Sequence, residues 1–214
     1  MKKALLIIAG FSLVFFACKK EKDTISRVET ASYPVISFSG SAFYSIPVGG
    51  TLPEISATAS DTVTGETGLP VTIVGVDALD NSTPGLYIIQ AEAKNKYGFI
   101  SQENVYVAVT DISDEIDLSG VYVRTANGEP ANITKMARGL YQTDDLGGAA
   151  SLEVTAYMVQ TDETTIVIPP QPSIVGTIAA IDVVLSLTPP DTTLTYKVIN
   201  PYFGSGPRTF VKQH

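Results

Sequence analysis

Short apolar runs separated by turn residues are the feature of this sequence that most restricts its fold. From residue 33 onward, stretches rich in Val, Ile and Thr are broken at close intervals by Gly, Pro, Asn and Asp. No run keeps the 3.6-residue apolar period of a long helix. In the clearest run Tyr87, Ile89, Ala91 and Ala93 alternate with more polar neighbours, which places one face of a strand in a core. The sequence therefore predicts an all-β protein.

Composition and charge exclude several classes of function. The 214 residues carry a formal net charge of −8, so no electrostatic footprint for nucleic acid is present. The single histidine is His214, the last residue, which removes catalytic triads, His-ligated zinc and histidine proton shuttles. No pair of carboxylates is singled out by its spacing, so we expect no enzyme activity, no cofactor and no metal site.

The first seventeen residues have the pattern of a secretion signal. Lys2 and Lys3 precede an uncharged apolar stretch, residues 4–17. That stretch is shorter than the roughly 20 residues that span a bilayer as a helix, so we expect it to be removed as a signal peptide.

Cys18, the only cysteine, follows this stretch directly. The sequence Phe15-Phe16-Ala17-Cys18 resembles a bacterial lipobox, which implies a lipidated Cys18 and attachment to a membrane through the lipid anchor alone. The alternative is that Cys18 is an ordinary residue of the apolar stretch and that cleavage occurs elsewhere. With Cys18 lipidated, residues 18–32 comprise the lipidated cysteine and a flexible stalk. The charged run after Cys18 resembles the surface-export signals of Bacteroidetes lipoproteins, which implies the outer membrane and favours the cell surface over the periplasmic face.

Residues 33–112 are predicted to form the first β domain. Strands are expected at 34–38, 71–74, 87–94 and 104–109, with a short edge segment at 45–51 because Pro47 cannot donate to a ladder. The stretch from Pro84 to Gly98 resembles the penultimate hairpin of bacterial immunoglobulin-like domains. The Gly-Gly turn and the Ala-Thr-Ala-Ser-Asp run at 57–61 fit the same family. This resemblance implies an immunoglobulin-like β-sandwich.

Residues 113–214 are predicted to form a second antiparallel β domain, either a sandwich or a small barrel. The acidic segment 111–117 marks the boundary, because the alternation stops there. The prolines of 169–172 are predicted to lie in a loop. Strands are expected at 118–124, 139–143, 151–159, 165–168, 174–187, 193–199 and 208–212.

The opening Asp117-Leu118-Ser119-Gly120-Val121-Tyr122 and the terminal Thr209-Phe210-Val211-Lys212 resemble the C-terminal domain of uncharacterised two-domain Bacteroidetes lipoproteins. Some of these occur near loci for outer-membrane glycan uptake. The resemblance implies a non-catalytic lipoprotein that binds a polysaccharide or oligosaccharide, or assists glycan uptake. The alternative is a structural or assembly lipoprotein that binds another outer-membrane protein, which the absence of Trp favours.

The segment 200–208 is the main candidate for ligand binding. It offers two adjacent rings, Tyr202 and Phe203, with the amide of Asn200 and the guanidinium of Arg208 in a Gly- and Pro-rich loop. Rings stack on the CH faces of sugars, and amides pair with their hydroxyls. The alternative is that one ring closes the end of the core while the other lies on the surface.

Two other features have candidate roles. Tyr141 is a further candidate for ligand binding, and it precedes paired carboxylates, Asp144 and Asp145, whose spacing lacks the alternating ligands of a calcium loop, so a solvated turn is the favoured interpretation of the pair. Three Asp-Thr motifs resemble Bacteroidetes O-glycosylation acceptors, with Thr24, Thr62 and Thr192 as the candidate acceptors.

Overall fold

The computed structural model describes residues 31–188 and 191–214, and its regular structure is almost entirely β. Fifteen strands and one short 3-10 helix, Val76–Ala78, occur within these ranges. The described residues include no α-helix, and none of their helices is both long and apolar enough to cross a bilayer. The prediction of an all-β chain is therefore confirmed.

The first seven strands form two sheets that share one core. The strands are β1 Val35–Phe38, β2 Phe43–Ile46, β3 Ala57–Asp61, β4 Glu66–Leu69, β5 Val71–Val74, β6 Gly85–Lys94 and β7 Ile100–Val109. One sheet has the order β1-β3-β4, and the other has the order β2-β7-β6-β5. Ile89 and Ala91 of β6 are buried with Val105 and Val107 of β7, and Ile36 of β1 packs against them from the other sheet. The alternation read from β6 thus points its apolar face into this core.

Strand β2 lies at an edge, as the position of Pro47 predicted. It pairs only with β7, in parallel, and ends at Ile46, immediately before the proline.

Strand β4 had no counterpart among the predicted strands. Its four residues, Glu-Thr-Gly-Leu, include a glycine at positive φ, Gly68, and carry little β-branched signal.

The remaining eight strands close into a barrel. They are β8 Gly120–Arg124, β9 Pro130–Ala137, β10 Leu140–Thr143, β11 Ala156–Gln160, β12 Ile166–Ser173, β13 Gly176–Ser186, β14 Thr193–Ile199 and β15 Arg208–Lys212. Each strand pairs antiparallel with the next along the chain, and β8 pairs with β15 to complete the circle. Of the two architectures that the sequence left open, the structure shows the barrel. The predicted boundary between residues 112 and 113 falls in the segment that connects β7 to β8.

Side chains that point inward fill the barrel. Along β14, Leu194, Tyr196 and Val198 are buried, while Thr195 and Lys197 between them are only partly buried on the outside. The inward residues join a single cluster contributed by all eight strands. This interior is a packed core, as expected for a barrel of eight strands.

Strand β12 contradicts the prediction of a loop at 169–172. Pro169, Pro170 and Pro172 lie inside the strand, whose register with β13 shifts between Ile168 and Gln171. Backbone pairing with β11 stops after Val167, where the prolines begin. The prolines are tolerated because the buried side chain of Gln171 replaces the missing backbone ladder. Its Oε1 accepts the N–H of Tyr157 at 2.7 Å, and its Nε2 donates to the carbonyl of Tyr157 at 2.8 Å.

A third apolar cluster joins the two-sheet part to the outside of the barrel. The rings of Tyr106 and Tyr157 lie 3.9 Å apart between centroids, and Phe43 is 5.5 Å from each of them. Leu86 and Leu140 are buried in the same cluster. Burial, followed by the proximity of Tyr106, raises the pKa of Tyr157 to about 12, so its hydroxyl stays neutral. Because this cluster lies across the predicted boundary, residues 32–214 form one compact unit.

Candidate functional site

The loop that connects β14 to β15 contains three of the candidate binding residues and ends at the fourth, Arg208, and it separates the two rings. Tyr202 is 73% exposed, whereas Phe203 is only 7% exposed. The Phe203 ring packs against the backbone of Gly147, where a Cβ atom would overlap it. Phe203 therefore closes one end of the barrel core, and Tyr202 is the ring with a face available to a ligand.

The amide of Asn200 holds the loop in place. Its Nδ2 donates to the carbonyls of Val175 and Thr177, at 3.1 Å and 2.9 Å, and its Oδ1 accepts the N–H of Tyr202 at 2.9 Å. These bonds tie the loop to the β12–β13 turn and fix the backbone that presents Tyr202. Asn200 thus has a positioning role, and its polar atoms already have partners within the protein.

Arg208 anchors the other end of the loop. Its Nε donates to the carbonyl of Gly147 at 2.8 Å, and one terminal nitrogen bonds the carbonyls of Gly204 and Gly206, at 3.3 Å and 3.2 Å. The guanidinium carbon lies 5.5 Å from the centroid of the Phe203 ring. Burial, with a smaller contribution from the positive charge of Arg124, lowers the pKa of Arg208. An arginine nevertheless stays protonated, and its backbone bonds compensate for the buried charge.

A groove of about 510 Å³ runs along the outside of the barrel beside this loop. Its apolar lining comes from Ala179 and Ile199 on neighbouring strands, together with Pro170, Pro201 and Phe203. Thr177 and Ser205 add hydroxyl groups. The volume lies in the range of small-ligand sites, which is about 300–1,000 Å³. Tyr202 belongs to the same loop as the lining residues Pro201 and Phe203 but is not itself part of the lining.

Sequence patterns gave no signal for the part of the groove that comes from β12 and β13. Pro170, Thr177 and Ala179 are 23 to 32 positions from Tyr202 in the sequence but come within reach of the 200–208 loop through strand pairing, since Ala179 is opposite Ile199. Outward-facing positions on adjacent barrel strands form such a surface only once the register is known. The alternation along β14, which puts Ile199 outside, was the one local clue.

Tyr141 lies away from the surface. Its side chain is completely buried in the barrel core. The hydroxyl donates to the carbonyl of Ile116 at 3.1 Å and accepts the N–H of Leu118 at 3.4 Å. Burial raises the pKa of Tyr141, which keeps the hydroxyl neutral. The structure therefore gives Tyr141 no face on which a sugar could stack, and its hydroxyl fixes the segment that enters β8.

The carboxylates that follow Tyr141 are engaged with the backbone. Asp145 is buried and accepts the N–H groups of Gly147 and Ala149, each at 2.9 Å. Burial raises the pKa of Asp145 in spite of these bonds. Asp144 accepts the backbone N–H of Asn132 at 2.7 Å. The interpretation of this pair as a solvated turn is thus wrong for Asp145. The described residues contain no group of three acidic, His or Cys side chains that could hold a metal.

The predicted modification sites differ in where they lie in the structure. Cys18 and Thr24 lie outside the described residues. Thr62 is exposed in the turn after β3, and Thr192 is partly buried before β14. In the motif Asp61-Thr62-Val63 the aspartate is buried and bonds the backbone of Val63 and Thr64, which is a structural reason for its position before Thr62.

No family model matches the chain, and no curated protein matches it. Among solved structures, the chain is similar to the crystal structure of the lipoprotein BT2262 from Bacteroides thetaiotaomicron. The two are 22% identical, the match covers 84% of this chain and 100% of that chain, and the TM-score is 0.38. At this TM-score the similarity carries no argument about function, which has to be inferred from the residues of this chain.

Proposed function

We propose that this chain is a non-catalytic lipoprotein of the outer membrane, tethered through Cys18 and facing the cell surface, that binds a polysaccharide or oligosaccharide. The observation that carries the glycan proposal is that one loop both lines the groove on the barrel and carries the exposed ring of Tyr202. A sugar ring would stack its CH face on Tyr202 and lie over the apolar floor. Its hydroxyls would pair with Thr177 and Ser205 at the lining of the groove.

A specific observation supports a protein ligand as the second candidate. The polar atoms of Asn200 and the guanidinium of Arg208 already have backbone partners, which leaves the groove mainly apolar. Farther along β13, Ile181 and Val184 are also exposed, at 49% and 59%, on either side of Asp182, which pairs with Lys197 at 2.8 Å. Exposed apolar side chains with charged neighbours are typical of protein–protein contacts. The chain would then be an assembly component that binds another outer-membrane protein.

Replacing Tyr202 with Ala tests the glycan proposal. We expect native gels cast with plant, host and microbial polysaccharides to retard purified residues 19–214 in at least one polymer. Tyr202→Ala should weaken that binding by about tenfold, or about 1.4 kcal/mol, as expected for the loss of a central aromatic contact. Tyr97→Ala is the matched control, because Tyr97 is also exposed, at 58%, but belongs to the β6–β7 turn.

Two results would contradict the glycan proposal. Equal retardation of Tyr202→Ala and the unsubstituted protein would place the glycan elsewhere. Absence of retardation in every polymer, together with a crosslinked envelope protein in native cells, would favour the second candidate.

Replacing Cys18 with Ala tests the tether. We expect Cys18→Ala to accumulate as unprocessed or soluble protein, because the lipid supplies the membrane affinity, at about 0.8 kcal/mol for each buried methylene. The measurement is fractionation of cells followed by an alkaline wash of the membranes. Normal maturation of Cys18→Ala and retention on washed membranes would show that another feature holds the protein.

A further inference from the structure

An exposed apolar patch lies where the chain enters the first strand. We call it the entry patch and define it as Tyr33, Val35, Tyr97, Phe99 and Ile100. Tyr33 and Tyr97 are each 58% exposed, Val35 is 66% exposed and Ile100 is 43% exposed. The rings of Tyr33 and Phe99 are in contact, with centroids 5.3 Å apart, so the entering chain and the β6–β7 turn present one surface.

A buried polar network fixes this surface. The carboxylate of Asp61 accepts hydrogen bonds from the hydroxyl of Ser32 and the amide of Asn95, both at 2.8 Å. The same amide donates to the carbonyl of Ser32 at 3.0 Å, and its oxygen accepts the N–H groups of Tyr97 and Phe99. Burial alone would raise the pKa of Asp61, but the bonds from Asn95, Ser32 and the backbone outweigh it and lower the pKa to about 2. The network therefore stays intact at neutral pH and holds the patch rigidly on the fold.

Positive charge accompanies the apolar groups. Lys94 and Lys96 are both exposed beside the turn. The ammonium of Lys96 lies 5.3 Å from the centroid of the Tyr97 ring and donates to the carbonyl of Thr64 at 2.9 Å. The chain has a formal net charge of −8, whereas here two lysines lie beside exposed rings, with the carboxylate of Glu66 accepting the backbone N–H of Lys96 at 3.2 Å. Tyrosines with flanking lysines are the residues that favour the interface between lipid and water.

We infer that the entry patch rests on the lipid surface to which the chain is tethered. This inference depends on the proposed anchor at Cys18. Ser32, at the edge of the patch, is only fourteen residues from Cys18 in the sequence. Even a fully extended chain of that length reaches at most about 50 Å, so the anchor keeps the patch at high effective concentration near the bilayer. The rings insert among the headgroups, and the two lysines face lipid phosphates.

A single introduced tryptophan tests this contact directly, because the natural chain has none. We would prepare the full-length lipidated protein as Tyr97→Trp and, as the matched control, as Tyr202→Trp in the barrel loop. Both are reconstituted into phosphatidylethanolamine vesicles with and without phosphatidylglycerol. Flotation measures attachment, and tryptophan emission with lipids brominated near the headgroup measures contact. Cooperative unfolding in urea confirms that both variants fold.

We expect both variants to float with the vesicles. Only the Tyr97→Trp emission should shift to shorter wavelength and be quenched by the brominated lipid, and the effect should increase with phosphatidylglycerol. Flotation of both variants with identical, unshifted emission overturns the contact and leaves the anchor intact. Failure to float overturns the anchor, and with it the inferred contact, so the two failures are distinguishable. Quenching of both variants to the same extent also overturns a contact specific to the entry patch.

Discussion

Replacing Gly148 with Ala is expected to destabilise the protein by about 2–5 kcal/mol. Gly148 has a φ of 56°, in the left-handed region, where an alanine costs about 1–2 kcal/mol. An added Cβ would also lie 2.7 Å from Cζ of Phe210 and 2.6 Å from Cδ of Arg124. Phe210 is 1% exposed and stacks on Tyr196 inside the barrel, so its ring has no free space into which to move. Crowding in a packed core adds about 1–3 kcal/mol.

Gly128→Ala separates the two contributions to this effect. Gly128 also has a positive φ, 78°, but no atom lies within 4 Å of its added Cβ. It should therefore lose only the backbone contribution, about 1–2 kcal/mol. Urea unfolding of both variants gives the two free energies of unfolding. Equal losses would mean that the barrel core beside Gly148 yields to an extra methyl group, contrary to the packing described above.

Local patterns were sufficient to predict the strands with one buried face. The alternation of Tyr87, Ile89 and Ala91 predicted β6, and the turn residues on either side predicted its limits to within a few positions. The period of two carries this information because one face of such a strand must be buried and the other need not be. Strand β9 is an exception, because its alternation rests on only two buried apolar residues, Ala131 and Ile133, between the exposed Asn132 and Thr134.

Closure of the barrel could not be predicted from local patterns. It depends on the pairing of β8 with β15, which brings Arg124 opposite Phe210. Nothing in either strand alone specifies that partner, and the same alternation is compatible with a sandwich. For this reason the sequence left both architectures open.

The sequence singled out the 200–208 loop but not the roles of its residues. Its composition placed two rings, an amide and a guanidinium in one loop without indicating which of them face solvent. Whether a polar side chain faces a ligand or the protein depends on which carbonyls come near it, and those of Gly147 and Val175 are distant in sequence. The alternative in which one ring closes the core and the other is exposed matches Phe203 and Tyr202.

Gln171→Met is expected to destabilise the protein by about 2–5 kcal/mol, because the seam between β11 and β12 depends on this side chain. Methionine keeps nearly the same length and volume but can neither donate nor accept strongly. The N–H and carbonyl of Tyr157 would both lose their partner, and each unsatisfied buried group costs about 1–3 kcal/mol. Gln102→Met is the matched control, since Gln102 is exposed and bonds only the carboxylate of Glu92, at 3.0 Å. We expect that control to change the free energy of unfolding by no more than about 0.5 kcal/mol.

The same pair of variants tests why a strand with three prolines belongs to a closed barrel. If Gln171 replaces the ladder, amide hydrogen exchange in Gln171→Met should accelerate first at Tyr157 and along β11, while β6 and β7 retain their protection. Loss of stability without local acceleration would show that the side chain contributes by packing alone. Unchanged stability would mean that the two backbone-paired positions, Val159 with Val167 and Gln160 with Ile166, are enough to hold the seam. The proline-rich strand would then close the barrel without a side chain in place of the missing backbone hydrogen bonds. The cost of unpaired buried backbone groups argues against that result.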